Sequence, residues 1–151
     1  MNIIERIAGL TVESEIADIA RKRGLALPTD YVAFLLSTNG GRPAQSVFPI
    51  EGLQNNKHGN IQCFFGIGST IRSLDLATVL EELPEQVPTS LFPIACTDMD
   101  DYLCIDTSKP GFPVVFWDRQ SFWGTDQRSV RTFPVAPSFE QLTQSLQSAG
   151  A

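Results

Sequence analysis

The stretch that decides the fold runs from Leu27 to Gly41 and reads LPTDYVAFLLSTNGG. Pro28 is expected as the first residue of a helix, because its fixed φ suits that position and its missing N–H costs nothing there. Three large side chains then fall on one helix face, which we expect to be buried: Tyr31, Phe34 and Leu35. Asn and Gly tolerate left-handed backbone, so Asn39, Gly40 and Gly41 end the helix.

Two further helices are predicted before this stretch. Residues 3–9 form a short one, and Thr11 is the N-cap of a second. The second helix repeats apolar residues at helical spacing, on a face that we expect to be buried: Val12, Ile16, Ile19 and Ala20. The basic run Arg21–Arg23 lies in its last turn, where cations favour the negative end of the helix dipole, and Gly24 ends it. We interpret this run as a helix terminus rather than a nucleic-acid site.

On the C-terminal side, short apolar runs divided by turn formers predict strands at 47–50, 61–67, 91–96, 102–105 and 114–117. The third and fourth are joined by Asp98–Asp101, a connection short enough for an antiparallel hairpin. A helix is predicted within 74–83, and Ser138 with Gln141 predicts a capping box before a final helix. The expected fold is α+β: an antiparallel sheet of about five or six strands with N-terminal helices, one inserted helix and a C-terminal helix. We expect a single domain over residues 1–151.

The composition is that of a globular chain with an acidic surface. Hydrophobic residues make up 42% and charged residues 19%, and the apolar stretches fall far short of the roughly 20 residues that cross a bilayer. Three cysteines without CxxC spacing argue against a disulfide framework or a zinc site and fit a reducing cytoplasm. The formal net charge of -6 repels phosphate backbones. We therefore expect a basic protein partner, with no direct nucleic-acid contact and no membrane insertion.

Several segments form a pattern when they are taken together. Leu27–Leu35 and Asn39–Gly41 are followed, in order, by Pro93–Ala95, Tyr102–Asp106, Val114–Asp118 and Val135–Phe139. Over roughly the whole chain this series resembles the SUKH superfamily of Smi/Knr-like domains. The resemblance implies an α+β fold with no reaction common to its members. Bacterial members are largely regarded as immunity proteins that neutralise toxins, and fungal relatives as regulatory scaffolds.

The chain departs from this family in one hairpin, where the family often has glycine-rich sequence and this chain has Asp98, Asp100 and Asp101. These residues belong to an acidic segment, residues 73–108, that contains no Lys or Arg. Its eight acids are Asp75, Glu81, Glu82, Glu85, Asp98, Asp100, Asp101 and Asp106. The rest of the chain has nine acidic and eleven basic residues, so the acidity of the protein comes from this segment.

If the acids of residues 73–108 share one face, they form a negative docking surface that speeds encounter with a basic partner. The alternative is a set of solvated turns and helix ends. The partner-binding residues predicted from this segment are Asp98, Asp100, Asp101, Glu81, Glu82 and Glu85.

Large rings alternate with polar groups in Trp117–Gly124, which is predicted as a strand followed by a loop. Trp and Arg are typical anchors of protein interfaces. We expect Trp117 in the core and Trp123, in the loop, at the interface. Asp118 and Arg119 are grouped with Trp123 as predicted partner-binding residues.

Other chemistries receive less support from the residues. Asp98–Asp101 lacks the glycine and the following acid of a calcium loop, so an ordinary turn is preferred to a metal site. Asp101 and Asp106 occur without evidence of a sugar cleft, and His58 lies in a polar loop with no GxSxG elbow near any serine. Phe65–Thr70 lacks the third glycine of a dinucleotide fingerprint and the lysine of a P-loop. No catalytic residue, metal or cofactor is predicted.

The predicted function is therefore non-catalytic protein binding. The most specific prediction is that the chain is an immunity protein that binds and neutralises a cognate toxin in the cytoplasm. One alternative is a regulatory scaffold that binds an endogenous protein. A lower-ranked alternative is a small hydrolase, which requires convergent carboxylates or His58 placed against a nucleophile.

Overall fold

The computed structural model describes residues 1–52, 58–123 and 129–148. Its strands are β1 Ile3–Glu5, β2 Arg42–Pro43, β3 Val47–Pro49, β4 His58–Phe64, β5 Leu91–Thr97, β6 Tyr102–Asp106, β7 Val114–Trp117 and β8 Thr132–Ala136. Its helices are α1 Glu13–Arg23, α2 Thr29–Ser37, α3 Leu76–Glu81, α4 Arg119–Trp123 and α5 Phe139–Ser145, with a 3-10 turn at Arg72–Leu74 before α3. The predicted α+β class is confirmed.

The main sheet is a six-stranded antiparallel meander in the order β3-β4-β5-β6-β7-β8. Strands β5 and β6 form the predicted hairpin, in which Leu91 pairs with Asp106 and Cys96 pairs with Tyr102. Every residue of β5, an inner strand of the sheet, is buried. The hairpin is therefore a fixed support for the residues at its two ends.

The stretch Leu27–Gly41 forms the predicted helix, although Phe34 on its apolar face is only half-buried. Pro28 is the N-cap of α2, so the helix begins at Thr29, one residue later than expected. Tyr31 and Leu35 are fully buried. The Tyr31 ring meets the Phe139 ring of α5 edge-on at 5.2 Å between centroids. Burial raises the pKa of the Tyr31 hydroxyl. Aromatic packing thus joins α2 to α5.

Asn39 connects the end of α2 to two distant segments. Its backbone is left-handed, with φ of 50°, and its side chain is completely buried. The Nδ2 group donates to Gly9 O at 2.7 Å and to Ile67 O at 2.8 Å, while Oδ1 accepts from Ile67 N at 2.8 Å. A Cβ on Gly40 would lie 2.5 Å from Phe65 O, so the chain after Asn39 requires glycine.

The prediction of a helix over residues 3–9 is wrong. Ile3–Glu5 is strand β1, which pairs with β2 in a separate two-stranded sheet, with Ile3 opposite Pro43 and Glu5 opposite Arg42. The short run of isoleucines is compatible with either structure, and the edge offered by β2 decides between them.

The start of α1 also differs from its prediction. Val12, not Thr11, is the N-cap, and Thr11 Oγ1 donates instead to Glu15 Oε1 at 3.1 Å. Val12 is 55% exposed, although its helical spacing predicted burial, because it lies outside the first turn of the helix. The predicted end of α1 is confirmed, since Gly24 is a left-handed C-cap.

Three more elements differ from those predicted. Residues 119–123 form helix α4 rather than a loop, and residues 132–136 form β8, the sixth strand of the sheet. The inserted helix is shorter than predicted, and Asp75 caps it through a bond from Thr78 N. At α5 the predicted cap is confirmed, because the Ser138 hydroxyl accepts from Gln141 N at 3.1 Å.

Candidate functional site

The candidate site is the turn of the β5–β6 hairpin, Asp98–Asp101, which we call the acidic turn. Asp98, Met99 and Asp100 are exposed, and Met99 is 62% exposed despite its apolar side chain. Backbone bonds hold the turn: Asp98 N donates to Asn60 O at 3.1 Å, and Asp100 N donates to Thr97 O at 3.1 Å. Asp100 has a left-handed φ of 62°, which Asp tolerates better than most residues.

Asp101 does not share the exposure of its neighbours. It is only 5% exposed, and its Oδ1 accepts from the backbone N–H groups of Arg119 at 2.8 Å and Gln120 at 3.3 Å. Burial raises the pKa of the Asp101 carboxyl, and the two backbone hydrogen bonds oppose that rise. Its burial contradicts the grouping of Asp101 with exposed docking acids. This carboxylate fixes the first turn of α4 to the hairpin.

Helix α4 holds the acidic turn in place. The Arg119 guanidinium lies 4.0 Å from the centroid of the Tyr102 ring, and its Nη1 donates to Asp100 O at 3.1 Å and Oδ1 at 3.3 Å. Gln120 Nε2 donates to Met99 O at 2.6 Å. The Arg119 side chain is only 19% exposed, so it packs against the turn and stabilises it. It does not extend into solvent as the predicted anchor for a partner.

A cavity of about 310 Å³, the turn cavity, opens beside the acidic turn. Three apolar side chains contribute to its wall, from β3, the residue after β3, and β7: Val47, Ile50 and Phe116. Asp98 and Asp101 lie at the same cavity, as does Asn60, whose Oδ1 is buried without a hydrogen-bond partner. The cavity therefore combines apolar surface with oxygen acceptors.

The remaining acids of residues 73–108 divide into structural and exposed groups. Asp75 caps α3 and also accepts from Gly68 N at 2.9 Å, and Asp106 accepts from the Ser108 hydroxyl at 2.6 Å. Glu82 pairs with Arg72 at 2.6 Å. Glu81, Glu82 and Glu85 are all exposed, so the pair of Glu82 with Arg72 lies at the surface.

The exposed acids do not form one cluster with the acidic turn. Glu81 lines one cavity with Arg23, and Arg23 lines another with Ser90, the residue before β5. The acidic turn follows the opposite end of β5. At roughly 3.3 Å per residue, the seven residues of β5 separate the two groups by about 20 Å.

The aromatic segment after β7 gives a mixed outcome. Trp117 is 1% exposed and meets the Tyr102 ring edge-on at 5.8 Å, which confirms its core position. Asp118 is half-buried. Trp123 ends α4, and its side chain lies outside the described part of the structure, so its interface role stays a prediction.

Comparison with protein families adds to this geometry. The model of the SMI1 / KNR4 family (SUKH-1) matches residues 11–145. The chain belongs to the SMI1 / KNR4 family. This SUKH-1 family is known for immunity-type and protein-binding roles and is generally non-catalytic. No curated protein and no solved structure matches the chain significantly.

His58 is the residue on which the hydrolase alternative for this SUKH-1 chain depends. It is exposed at the start of β4 and lines the turn cavity with Asp98 and Asp101, so the structure brings these groups together. Among the described lining residues the one hydroxyl is that of Thr97, whose Oγ1 accepts from Asp101 N at 3.0 Å. That arrangement gives the hydroxyl a structural role in the turn rather than the position of an activated nucleophile.

Metal binding and membrane insertion receive no support from the described residues. In the ranges 1–52, 58–123 and 129–148, no three His, Cys, Asp or Glu side chains converge on a position for a metal ion. None of the helices described there has both the length and the apolar character needed to cross a membrane.

Sequence reasoning missed two residues of this SUKH-1 surface. Met99 is the exposed apolar residue of the acidic turn, and its position between Asp98 and Asp100 was the available signal. Asn60 of β4 lies in the turn cavity with an unpartnered oxygen, and nothing in the sequence distinguishes it from the neighbouring asparagines of the predicted polar loop.

Proposed function

We propose that this SUKH-1 protein is an immunity protein that binds and neutralises a cognate basic toxin in the cytoplasm. The observation that carries the proposal is the acidic turn, where an exposed Met99 stands between the exposed Asp98 and Asp100 on a rigidly held hairpin. The mechanism is steric occlusion of the toxin surface, and it requires no reaction.

The rigid support of the turn favours tight binding. Side chains of Arg119 and Gln120 bind backbone carbonyls of the turn, and Asp101 binds the backbone of α4 in return. A surface that is already ordered loses less conformational entropy on association than a mobile loop does. The apolar Met99 side chain can then enter a pocket on the partner, as adaptable Met side chains do at binding surfaces.

The charge of the turn selects a basic partner. Asp98 and Asp100 are exposed, and the net charge of the chain is -6. A Lys or Arg side chain of the toxin fits the turn cavity, with its aliphatic stem against Phe116 and its charged end at Asp98 and Asn60 Oδ1. The unpartnered oxygen of Asn60 would then accept a charge-assisted hydrogen bond.

A pair of double variants tests the surface. Asp98→Asn with Asp100→Asn removes two charges from the acidic turn, and Glu81→Gln with Glu85→Gln removes the same charge at the other end of β5. With the basic product of a neighbouring toxin gene as partner, we expect the first pair to slow association by about threefold to tenfold at low salt. The second pair should leave the rate nearly unchanged. Stopped-flow measurement over a salt series checks both, since exposed charges are screened over about 8 Å at physiological ionic strength.

Equal slowing by the two double variants would assign the effect to net charge and overturn the proposed surface. Met99→Ala should act on dissociation instead, raising the off-rate by about tenfold if Met99 enters a pocket on the toxin. Co-expression in a toxicity rescue assay tests the function itself. If wild-type protein neither binds nor rescues against the neighbouring product, the immunity role is wrong.

A further inference from the structure

Arg23 differs from the other basic residues at the end of α1. Arg21 and Lys22 are exposed, and Arg21 pairs with Asp18, whereas Arg23 is half-buried just before the Gly24 cap. Two nitrogens of its guanidinium, Nε and Nη2, are buried with no hydrogen-bond partner. The same burial lowers the pKa of Arg23.

Buried polar groups in folded proteins almost always have partners, and a buried charge without one is costly. Glu81 lies across a cavity of about 210 Å³ from Arg23, but the two buried nitrogens do not reach an acceptor there. A guanidinium has only donors, so the group that would satisfy Arg23 is an oxygen acceptor. Planar oxyanions suit it best, because they accept two parallel hydrogen bonds from its fork.

Arg23 also lines a larger cavity, of about 370 Å³, which we call the arginine cavity. It lies at the open end of the β5–β6 hairpin, where Thr89 and Ser90 precede β5 and Thr107 follows β6. The Thr107 hydroxyl is engaged with Ser90 O at 2.7 Å. Thr89 and Ser90 also line the cavity and carry hydroxyl groups that can donate, and a volume of this size holds a small ligand.

Phe112 supplies an aromatic wall to the arginine cavity and has unusual backbone geometry. Its φ is 53°, in the left-handed region that bulky residues rarely adopt. Its N–H donates to Lys109 O at 3.2 Å, which helps to hold that conformation. Strained residues of this kind cluster at ligand sites, where surrounding structure maintains them.

We propose that the arginine cavity binds a small organic oxyanion, a phosphate or carboxylate carried on an apolar or aromatic body. The oxyanion pairs with the Arg23 guanidinium and accepts from the Thr89 and Ser90 hydroxyls. The body of the ligand packs against Phe112. This site lies at the opposite end of β5 from the acidic turn and does not depend on toxin binding.

Four probes test the site by NMR titration and calorimetry on the full chain: inorganic phosphate, phenyl phosphate, benzoate and phenol. We expect saturable binding of phenyl phosphate or benzoate, with resonances of Arg23, Ser90 and Phe112 shifting, and none of phenol. Tighter binding of phenyl phosphate assigns a phosphate ligand, and tighter binding of benzoate assigns a carboxylate. No saturation by either aryl anion overturns the proposal, and equal affinity for inorganic phosphate and phenyl phosphate overturns its apolar half.

Matched variants locate the bound probe. Arg23→Gln should lower the affinity for the tighter-binding aryl anion by about tenfold to a hundredfold, which is the contribution of a charge-assisted hydrogen bond. Arg21→Gln changes the net charge equally at an exposed position and should leave the affinity unchanged. Phe112→Gly keeps the left-handed backbone accessible and should weaken the aryl anions but not inorganic phosphate. Equal losses for Arg23→Gln and Arg21→Gln would place binding elsewhere.

The Arg23→Lys variant is a control for the possibility that Arg23→Gln loses binding because it misfolds. It keeps the charge and loses the planar fork, so we expect an unchanged melting temperature without ligand and a smaller ligand-induced rise than in the wild type. An equal rise in both proteins would contradict the role of the guanidinium.

Discussion

The two ends of the β5–β6 hairpin each bring a charged side chain out of solvent, and they treat it in opposite ways. At the turn end, Asp101 is 5% exposed, and its carboxylate accepts two backbone hydrogen bonds from α4. At the open end, the Arg23 guanidinium is half-buried and two of its nitrogens have no acceptor. The first charge belongs to the framework of the protein, and the second is the one that we propose a ligand pairs with.

The difference shows that burial alone does not identify a functional charge. A buried charge whose hydrogen bonds are made within the chain stabilises local geometry, and here it supports an exposed docking turn. A buried charge with unmade hydrogen bonds reduces stability unless something binds to it. The variants below separate these two cases by their effects on the unfolding free energy.

The largest effect is expected at the turn end. Asp101→Ala leaves the N–H groups of Arg119 and Gln120 without their acceptor and loosens α4 from the hairpin. We expect a loss of about 2 to 3 kcal/mol in the free energy of unfolding, measured by urea denaturation.

Asp101→Asn is the matched control, because its side-chain oxygen can accept both bonds without a buried charge. Its unfolding free energy at neutral pH should equal or slightly exceed that of the wild type. If Asp101→Asn is as unstable as Asp101→Ala, the negative charge rather than the hydrogen bonding holds α4.

A smaller effect of different origin is expected at the open end. Arg23→Met keeps an unbranched stem at the cavity that Leu25 also lines and removes an unpartnered charge. It gives up a modest interaction with the negative end of the α1 dipole. We expect the unfolding free energy to change by less than about 1 kcal/mol. A loss as large as that of Asp101→Ala would show that Arg23 is a structural residue, and the contrast between the two ends would fail.

The contrast also shows which parts of the molecule sequence reasoning reaches. The limits of α2 and the β5–β6 hairpin were predictable, because Pro28, Asn39 and the connection Asp98–Asp101 act locally on the backbone. Strand β1 was not, because its pairing depends on β2, which lies far along the chain.

Residue type was no guide to burial within the site. Asp100 and Asp101 are adjacent and chemically identical, yet only Asp101 meets the backbone of α4, eighteen residues further along. The basic run that ends at Arg23 predicted the end of a helix, and α1 does end there. The burial of Arg23, however, depends on segments beside β5 and β6. Tertiary contacts decide which members of a charged run are exposed. Short-range sequence patterns carry no information about those contacts.

The smallest expected effect is the pH dependence of Asp101. Because burial raises its pKa above the ordinary aspartate value, the folded state binds the proton more tightly than the unfolded state. The unfolding free energy of the wild type should therefore fall, relative to that of Asp101→Asn, as pH rises from the ordinary aspartate pKa through the raised one. Urea titrations of both proteins from mild acid to neutral pH measure this difference. If the wild type instead gains stability over that window, the hydrogen bonds from Arg119 and Gln120 outweigh the cost of burial, and the predicted rise of the Asp101 pKa is wrong.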